Sequence, residues 1–275
     1  MDIATNPEIG QSIKAADIET NYHDQGEGEP VLLLHGSGPG VSAWANWRLT
    51  LPALAGSRRV IAPDVVGFGF TERPEGIEYT PEQWVRHAVG FLDALGLDQV
   101  DLVGNSFGGG LALRLAQEHP ERVRKLVLMG AVSLSFPLTE GLDRVWGYEP
   151  SPENMRALIE LFAYDQSLAS DDLAELRHRA STRPGVQEAY AAMFPAPRQR
   201  WVDMLASSEA ALAALPNETL IVHGRDDRVI PVEVSERAFR LIDRAQLHLF
   251  GRCGHWVQIE HARRFNALLA DFLDE

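Results

Sequence analysis

Gly104-Asn105-Ser106-Phe107-Gly108 is the segment of this 275-residue chain whose spacing most directly suggests chemistry. The serine follows an apolar run at 100–103 and precedes a helix-compatible run, so it fits a strand–turn–helix elbow that projects its Oγ. Side chains in place of the flanking glycines would collide with strand and helix. The helix N-terminus behind Ser106 also favours developing negative charge. A serine nucleophile needs a base, and the base needs an orienting acid. A late apolar run at 219–222 leads into His223-Gly224-Arg225-Asp226-Asp227-Arg228-Val229-Ile230-Pro231, and the last run leads into Gly251-Arg252-Cys253-Gly254-His255-Trp256. Of the nine histidines, His255 stands in a glycine-bounded turn at a strand end, whereas His119, His178 and His248 have no such setting. His255 is the candidate base. Asp227, three residues past Gly224, is the preferred acid, with Asp226 read as a solvated turn carboxylate.

An acyl-transfer site also needs two donors for an oxyanion. His35-Gly36-Ser37-Gly38-Pro39-Gly40 follows the apolar run 31–34 and exposes backbone N–H groups. The N–H of Ser37 and that of Phe107, next after the nucleophile, are the candidates. On its own such a loop is a tight Gly/Pro turn. No Gly-Lys-Ser/Thr is present, so it is not a phosphate-binding loop.

These residues must be held by strands and helices. Short apolar runs at 31–34, 60–62, 100–103, 125–129, 219–222 and 246–250 lack polar alternation, as strands buried on both faces do. Helical patterns at 81–95, 106–118, 235–241 and 259–273 alternate with them. The expected class is α/β, a mostly parallel doubly wound sheet with right-handed crossovers. Residues 12–25 add an antiparallel edge hairpin. The alternation stops between about 131 and 215, where helical patterns at 152–162, 170–180, 186–193 and 197–212 carry many aromatics. That stretch reads as a helical insertion with a small core of its own, and functionally as a lid over the strand ends. The expected division is a core at 1–133 and 214–275 and a lid at 134–213.

The formal net charge of −14 repels phosphate backbones and anionic membranes, which argues against nucleic-acid binding. Cys253 is the only cysteine, so neither an intramolecular disulfide nor a cysteine-based zinc site is expected, and it is read as a small core residue. Residues 1–10 show no basic-then-apolar leader, and no apolar run approaches the ~20 residues that span a bilayer. A soluble cytoplasmic protein without metal or cofactor motif is expected.

Longer strings carry a closer likeness: HGSGPGVSAWANWR (35–48), APDVVGFGFTERP (62–74), LVGNSFGGGLAL (102–113), EGLDRVWGYEPS (140–151), FPAPRQRWVD (194–203), HGRDDRVIP (223–231) and GRCGHWVQIEH (251–261). Together they resemble the α/β-hydrolase superfamily, and within it the meta-cleavage product hydrolases, above all those acting on 2-hydroxymuconate semialdehyde and alkylbenzene-pathway analogues. The resemblance implies a Ser106–His255–Asp227 triad that hydrolyses the C5–C6 bond of a 2-hydroxy-6-oxohexa-2,4-dienoate. It releases 2-hydroxypenta-2,4-dienoate and formate or a small carboxylic acid. Either acylation of Ser106 or attack by water activated at His255 would serve. The resemblance further implies Arg177, Asn46, Asn105 and Trp256 as substrate-binding residues, and a homodimer or larger homo-oligomer. Without it, Arg177 would read as a solvated helix residue with Arg183 as a rival cation, Asn46 as a helix cap, Asn105 as an elbow residue and Trp256 as packing. Small residues such as Ala131 and Val132 would admit an alkyl group at C6. A carboxylesterase would share the triad without the acid-recognition set, and a small-molecule receptor of the same fold would show no turnover.

Overall fold

A computed structural model describes residues 6–275. The apolar runs become β1 (Gln11–Ala15), β2 (Ile18–Gln25), β3 (Pro30–Leu34), β4 (Arg59–Pro63), β5 (Val100–Asn105), β6 (Val123–Met129), β7 (Glu218–Gly224) and β8 (Ala245–Phe250). They form one sheet in the order β1-β2-β4-β3-β5-β6-β7-β8. β3 to β8 are parallel, while β2 runs antiparallel to both β1 and β4, so the expected edge hairpin is present. The hairpin turns at Ala16 and Asp17, both at positive φ. From β3 the chain first builds towards one edge and then, from β5, towards the other. The reversal leaves a crevice outside the carboxyl ends of β3 and β5, the usual ligand position in such sheets.

The helices are α1 (Ala43–Trp47), α2 (Leu51–Leu54), α3 (Pro81–Ala94), α4 (Phe107–Glu118), α5 (Glu140–Trp146), α6 (Pro152–Phe162), α7 (Asp171–Ser181), α8 (Val186–Met193), α9 (Gln199–Leu205), α10 (Glu209–Ala213), α11 (Val232–Leu241), α12 (Val257–Glu260) and α13 (Ala262–Asp274). Their boundaries follow local chemistry. Thr80, Ser151, Ser170 and Ser208 each accept from the N–H three residues on and so cap α3, α6, α7 and α10. On α3, Trp84, Ala88 and Phe91 recur at helical spacing and are buried. Trp47, Leu51, Phe265 and Leu269 cover one face of the sheet, while Trp84, Phe91, Leu111 and Phe107 cover the other. Among the described residues no helix is long and apolar enough to cross a membrane.

Three expectations are corrected. The single helix expected at 197–212 is two, because Ala206 is extended, Ser207 N–H donates to Ser133 O at 3.0 Å, and Ser208 starts a new cap. The one expected at 259–273 is also two, α12 and α13, broken at His261. The segment between β6 and β7 has no core of its own. Phe194 stacks on Trp146 at 4.6 Å and 7°, and meets Trp84 and Phe107 of the sheet side at 6.1 and 6.0 Å, so its aromatics continue the main core.

Candidate active site

The chemistry-bearing side chains sit at the carboxyl ends of four parallel strands. Ser106 follows β5 and precedes α4 with φ 55° and ψ −116°, a conformation that costs a non-glycine residue roughly 1–3 kcal/mol and persists only where its surroundings impose it. Those surroundings are visible. The Ser106 N–H donates to Met129 O at 2.8 Å, and its carbonyl accepts from Gly109 and Gly110. A Cβ at Gly104 would lie 2.3 Å from Gly108 O, and one at Gly108 would lie 2.5 Å from both Leu34 O and His35 O. Strand and helix therefore approach more closely than any side chain allows, as the two glycines led one to expect.

Asp227 and His255 meet over Gly130, the residue after Met129; a Cβ there would lie 3.5 Å from both. His255 Nδ1 is 2.6 Å from Asp227 Oδ2. The other carboxylate oxygen, Oδ1, accepts from the N–H groups of Val229 (2.7 Å) and Ile230 (3.0 Å). Burial would raise the Asp227 pKa, but the charges and hydrogen bonds of His255 and His223 outweigh it and hold the carboxyl well below its usual range. An ionised Asp227 only accepts, so Nδ1 of His255 carries the proton and Nε2 is left with its lone pair. Among the described residues no hydrogen bond joins Ser106 Oγ to His255, a contact that commonly tightens only when substrate binds. Asp226 makes no hydrogen bond or ion pair with His255 among the described residues. It accepts from Arg252 N–H at 2.9 Å and pairs with Arg225, fixing the turn before the histidine.

The loop after β3 meets the elbow at Gly36, where an added Cβ would lie 3.5 Å from Ser106 Cβ, and Ser37 follows it in the chain. The N–H groups of Ser37 and Phe107 have no partner among the described residues. Two side chains from the inserted segment hold Ser37, and the sequence reading missed both. Trp146 Nε1 donates to Ser37 Oγ at 2.9 Å, and the Tyr190 hydroxyl lies between the carbonyls of Ser37 (2.9 Å) and Val145 (2.7 Å). Burial pushes the Tyr190 pKa well up, so it stays a donor. Tyr190→Phe would leave two buried carbonyls without it. We expect about 1–3 kcal/mol lower stability in urea unfolding and a kcat about tenfold lower, equivalent to roughly 1.4 kcal/mol at the barrier. Unchanged kcat would show that the tie does not reach Ser37.

His223 and Phe162 were also missed as site residues. His223 is fully buried; its Nε2 lies 3.1 Å from Asp227 Oδ2 and its Nδ1 2.7 Å from Ser235 Oγ, so it pins the acid from behind. Phe162 stacks between His255 and Trp256, at 5.8 and 5.0 Å, and its carbonyl accepts from His255 N–H at 2.7 Å. The Phe162 contacts span dozens of residues and leave no local pattern to read, whereas His223 stands only four residues before Asp227 and shows its role only once the turn after β7 is folded.

The remaining expected residues divide. Asn46 Oδ1 accepts from Gly36 N–H at 3.4 Å, and its Nδ2 is buried with no partner among the described residues. Asn105 spends one amide proton on Met129 O at 3.2 Å. Arg177, on α7, pairs with Glu8 at 2.7 Å and keeps a buried Nε with no partner among the described residues. Its rival Arg183 is committed: it donates to Gly69 O and Ala180 O and lies 3.8 Å over the Phe70 ring. Trp256 packs on Phe162. Ala131 and Val132 are both buried, and the Val132 N–H donates to Ser106 O at 3.3 Å. The Cys253 thiol is buried beside Glu260 and its pKa is pushed far up, so it is no nucleophile at neutral pH.

Residues 29–262 match a family model described as the alpha/beta hydrolase fold. The chain is 64% identical to a 2-hydroxymuconate semialdehyde hydrolase of Pseudomonas sp. strain CF600, over 98% of this chain and 95% of that one. It is 66% identical to a 2-hydroxy-6-oxo-2,4-heptadienoate hydrolase of Pseudomonas putida strain F1, over 98% and 97%. A solved variant of a meta-cleavage product hydrolase from Pseudomonas fluorescens IP01, complexed with acetates, superposes with a TM-score of 0.97 at 60% identity, covering 98% of this chain and 99% of the other.

Proposed function

This chain belongs to the α/β-hydrolase fold family and, within it, to the meta-cleavage product hydrolases, and from that premise we propose how its own residues carry the reaction. The protein hydrolyses a carbon–carbon bond of a 2-hydroxy-6-oxo-dienoate in the breakdown of aromatic compounds. A C–C bond breaks heterolytically only when the departing carbon can hold the electron pair. The dienol must therefore first become a ketone protonated at C5. Ser106 Oγ attacks the C6 carbonyl as His255 Nε2 takes its proton. The oxyanion is held by the Ser37 and Phe107 N–H groups, and Asp227 keeps His255 in the Nδ1–H tautomer. The oxyanion collapses and the C5–C6 bond breaks, its electron pair passing through C5 into the C2 ketone as a dienolate, which takes the proton held by His255 and leaves as 2-hydroxypenta-2,4-dienoate. Water deprotonated by His255 then hydrolyses the ester on Ser106 to the carboxylic acid and restores the serine. Arg177 and Asn46 bind the substrate carboxylate, with Asn105 and Trp256 lining the site between.

The observation that carries this reading is the 2.6 Å His255–Asp227 pair beside a serine held in a strained elbow. A free Arg177 Nε and Asn46 Nδ2 support acid recognition, because a buried donor left unpaired is costly until a ligand fills it. That pair of donors favours an acid substrate over a simple ester. We assign the C6 substituent as hydrogen or small alkyl, in keeping with the two relatives of 64% and 66% identity. Residues 134–213 act as the lid, whose Trp146 and Tyr190 grip the oxyanion loop. Family membership also favours a homo-oligomer working in the cytoplasm.

The test is spectrophotometric. The purified protein is mixed with the yellow ring-fission products of catechol, 3-methylcatechol, 3-isopropylcatechol and 2,3-dihydroxybiphenyl. Bleaching should be fastest for the first two. Equal or faster turnover of the phenyl compound would sink the small-substituent assignment, and turnover of simple esters alone would sink the acid-recognition set.

A further inference from the structure

Glu8 has no part in the triad, yet two elements of the site converge on its carboxylate. Its Oε1 accepts from Arg177 Nη2 at 2.7 Å, and its Oε2 from Ser42 Oγ at 2.7 Å. Ser42 is the N-cap of α1, the helix that carries Asn46. Arg177 belongs to α7 of the inserted segment. Both partners of the ion pair are largely buried, at 14% and 12% side-chain exposure, which sets it apart from the solvated pairs of the surface.

The carboxylate is itself held in place. The backbone before β1 is tied to the hairpin by Asn21, whose Nδ2 donates to Glu8 O at 3.0 Å and whose Oδ1 accepts from Gly10 N–H at 2.8 Å. A Cβ at Gly10 would lie 2.1 Å from Tyr22 O, so this strap lies tight on the strand. Asn21 Nδ2 also donates to the buried Asp64, which accepts from the Ala43 N–H at the start of α1. One network thus fixes the strap, the helix of Asn46 and the arginine.

Arg48 and Arg183 lie within electrostatic reach of both Glu8 and Arg177. Three guanidinium groups around one carboxylate would repel one another without it, and with it they still leave positive charge for an anionic ligand. A planar guanidinium gripped at Nη2 is fixed in orientation, which is where arginine gains over a flexible ammonium. We propose that Glu8 is a positioning residue: it holds Arg177 by Nη2 and caps α1 through Ser42, so that the buried, unpartnered Arg177 Nε and Asn46 Nδ2 meet the substrate carboxylate. The inference rests on the assignment of Arg177 and Asn46 to that carboxylate.

The experiment compares Glu8→Ala, Glu8→Gln, Arg177→Ala and the Glu8→Ala/Arg177→Ala double variant. Substrates are the ring-fission product of catechol and p-nitrophenyl acetate, which has no carboxylate to bind. Glu8→Ala should raise KM for the dienoate about tenfold, the effect of roughly 1.4 kcal/mol. Its kcat should stay within about threefold, and p-nitrophenyl acetate hydrolysis within about twofold. The double variant should be no worse than Arg177→Ala, because the two residues act through one contact. Glu8→Gln, nearly isosteric and checked for folding by circular dichroism, should fall between wild type and Glu8→Ala. Equal losses on both substrates, or additive losses in the double variant, would overturn the inference. So would an unchanged KM in Glu8→Gln and Glu8→Ala beside a raised KM in Arg177→Ala. An unchanged KM in Arg177→Ala would overturn the carboxylate assignment itself, and the inference with it.

Discussion

Asp227→Asn is expected to lower kcat on the ring-fission product by about 10⁴-fold, close to the loss expected from Ser106→Ala, while leaving the fold intact. The size of the effect follows from hydrogen-bond direction. Asp227 Oδ1 accepts from two backbone donors, Val229 N–H at 2.7 Å and Ile230 N–H at 3.0 Å. An asparagine must keep its amide oxygen there, because its NH₂ would face two donors. The NH₂ then occupies the position of Oδ2, pointing at His255 Nδ1 and His223 Nε2. His255 Nδ1 must become an acceptor, which moves its proton to Nε2. A protonated Nε2 cannot take the proton of Ser106. The base is lost without being touched. Ser106→Ala removes the nucleophile directly and, on the acyl-enzyme course, leaves only what the oxyanion donors and binding supply. Steady-state bleaching rates and ¹⁵N chemical shifts of His255 check both halves. A kcat within tenfold of wild type for Asp227→Asn would refute the tautomer argument. The same result for Ser106→Ala would move the mechanism to direct attack by water.

These residues were legible because each is tied to a strand end by a few neighbours in sequence. Ser106 sits in a turn whose glycines are demanded by backbone contacts within four residues or with β3, and Asp227 follows β7 at a fixed short offset. The class of the sheet, mostly parallel and doubly wound, could be anticipated because uninterrupted apolar runs alternating with helices leave few topologies. What stayed hidden depends on contacts across the chain. Trp146 and Tyr190 reach Ser37 over 109 and 153 residues, and Glu8 reaches Arg177 over 169. Nothing near Glu8 marks it, since a carboxylate three residues before a strand is ordinary surface until α7 folds down on it. The break in the helix expected at 197–212 has the same origin: Ser207 turns away from helical geometry to meet Ser133, 74 positions earlier in the chain by their numbering. Even Arg177 and Arg183, two residues of one type six positions apart, differ only in what each side chain touches, Glu8 for one and Gly69 O, Ala180 O and the Phe70 ring for the other.

A second large effect concerns acid stability, and it is expected between pH 6.5 and 4. His87 on α3 is buried, and burial lowers its pKa from 6.5 to about 4. Its hydrogen bonds show why it resists protonation. Nδ1 accepts from Val66 N–H at 3.3 Å, so the ring proton is on Nε2, 2.8 Å from Thr20 Oγ1, which in turn donates to Ile18 O at 3.0 Å. A second ring proton would face the Val66 donor, in a buried position with no acceptor for it among the described residues. The unfolded chain binds that proton near pH 6.5 and the folded chain only near pH 4. Stability is therefore full above 6.5 and falls as pH drops through this window, by up to about 1.4 kcal/mol per pH unit for one group. With the folded value at about 4, the total is about 3 kcal/mol. His35 is shifted in the same direction by burial; its Nε2 accepts from Val65 N–H at 3.0 Å, and it adds to the slope. Asp227, held below its ordinary range, contributes only at lower pH, where the unfolded carboxylate begins to protonate. Urea unfolding at pH 7, 6, 5 and 4.5 reads the slope. His87→Gln, whose amide can donate to Thr20 and accept from Val66 without titrating, should start less stable at pH 7 and lose less on acidification. If its stability falls as steeply as that of the wild type, His87 is not the group that takes up the proton on unfolding.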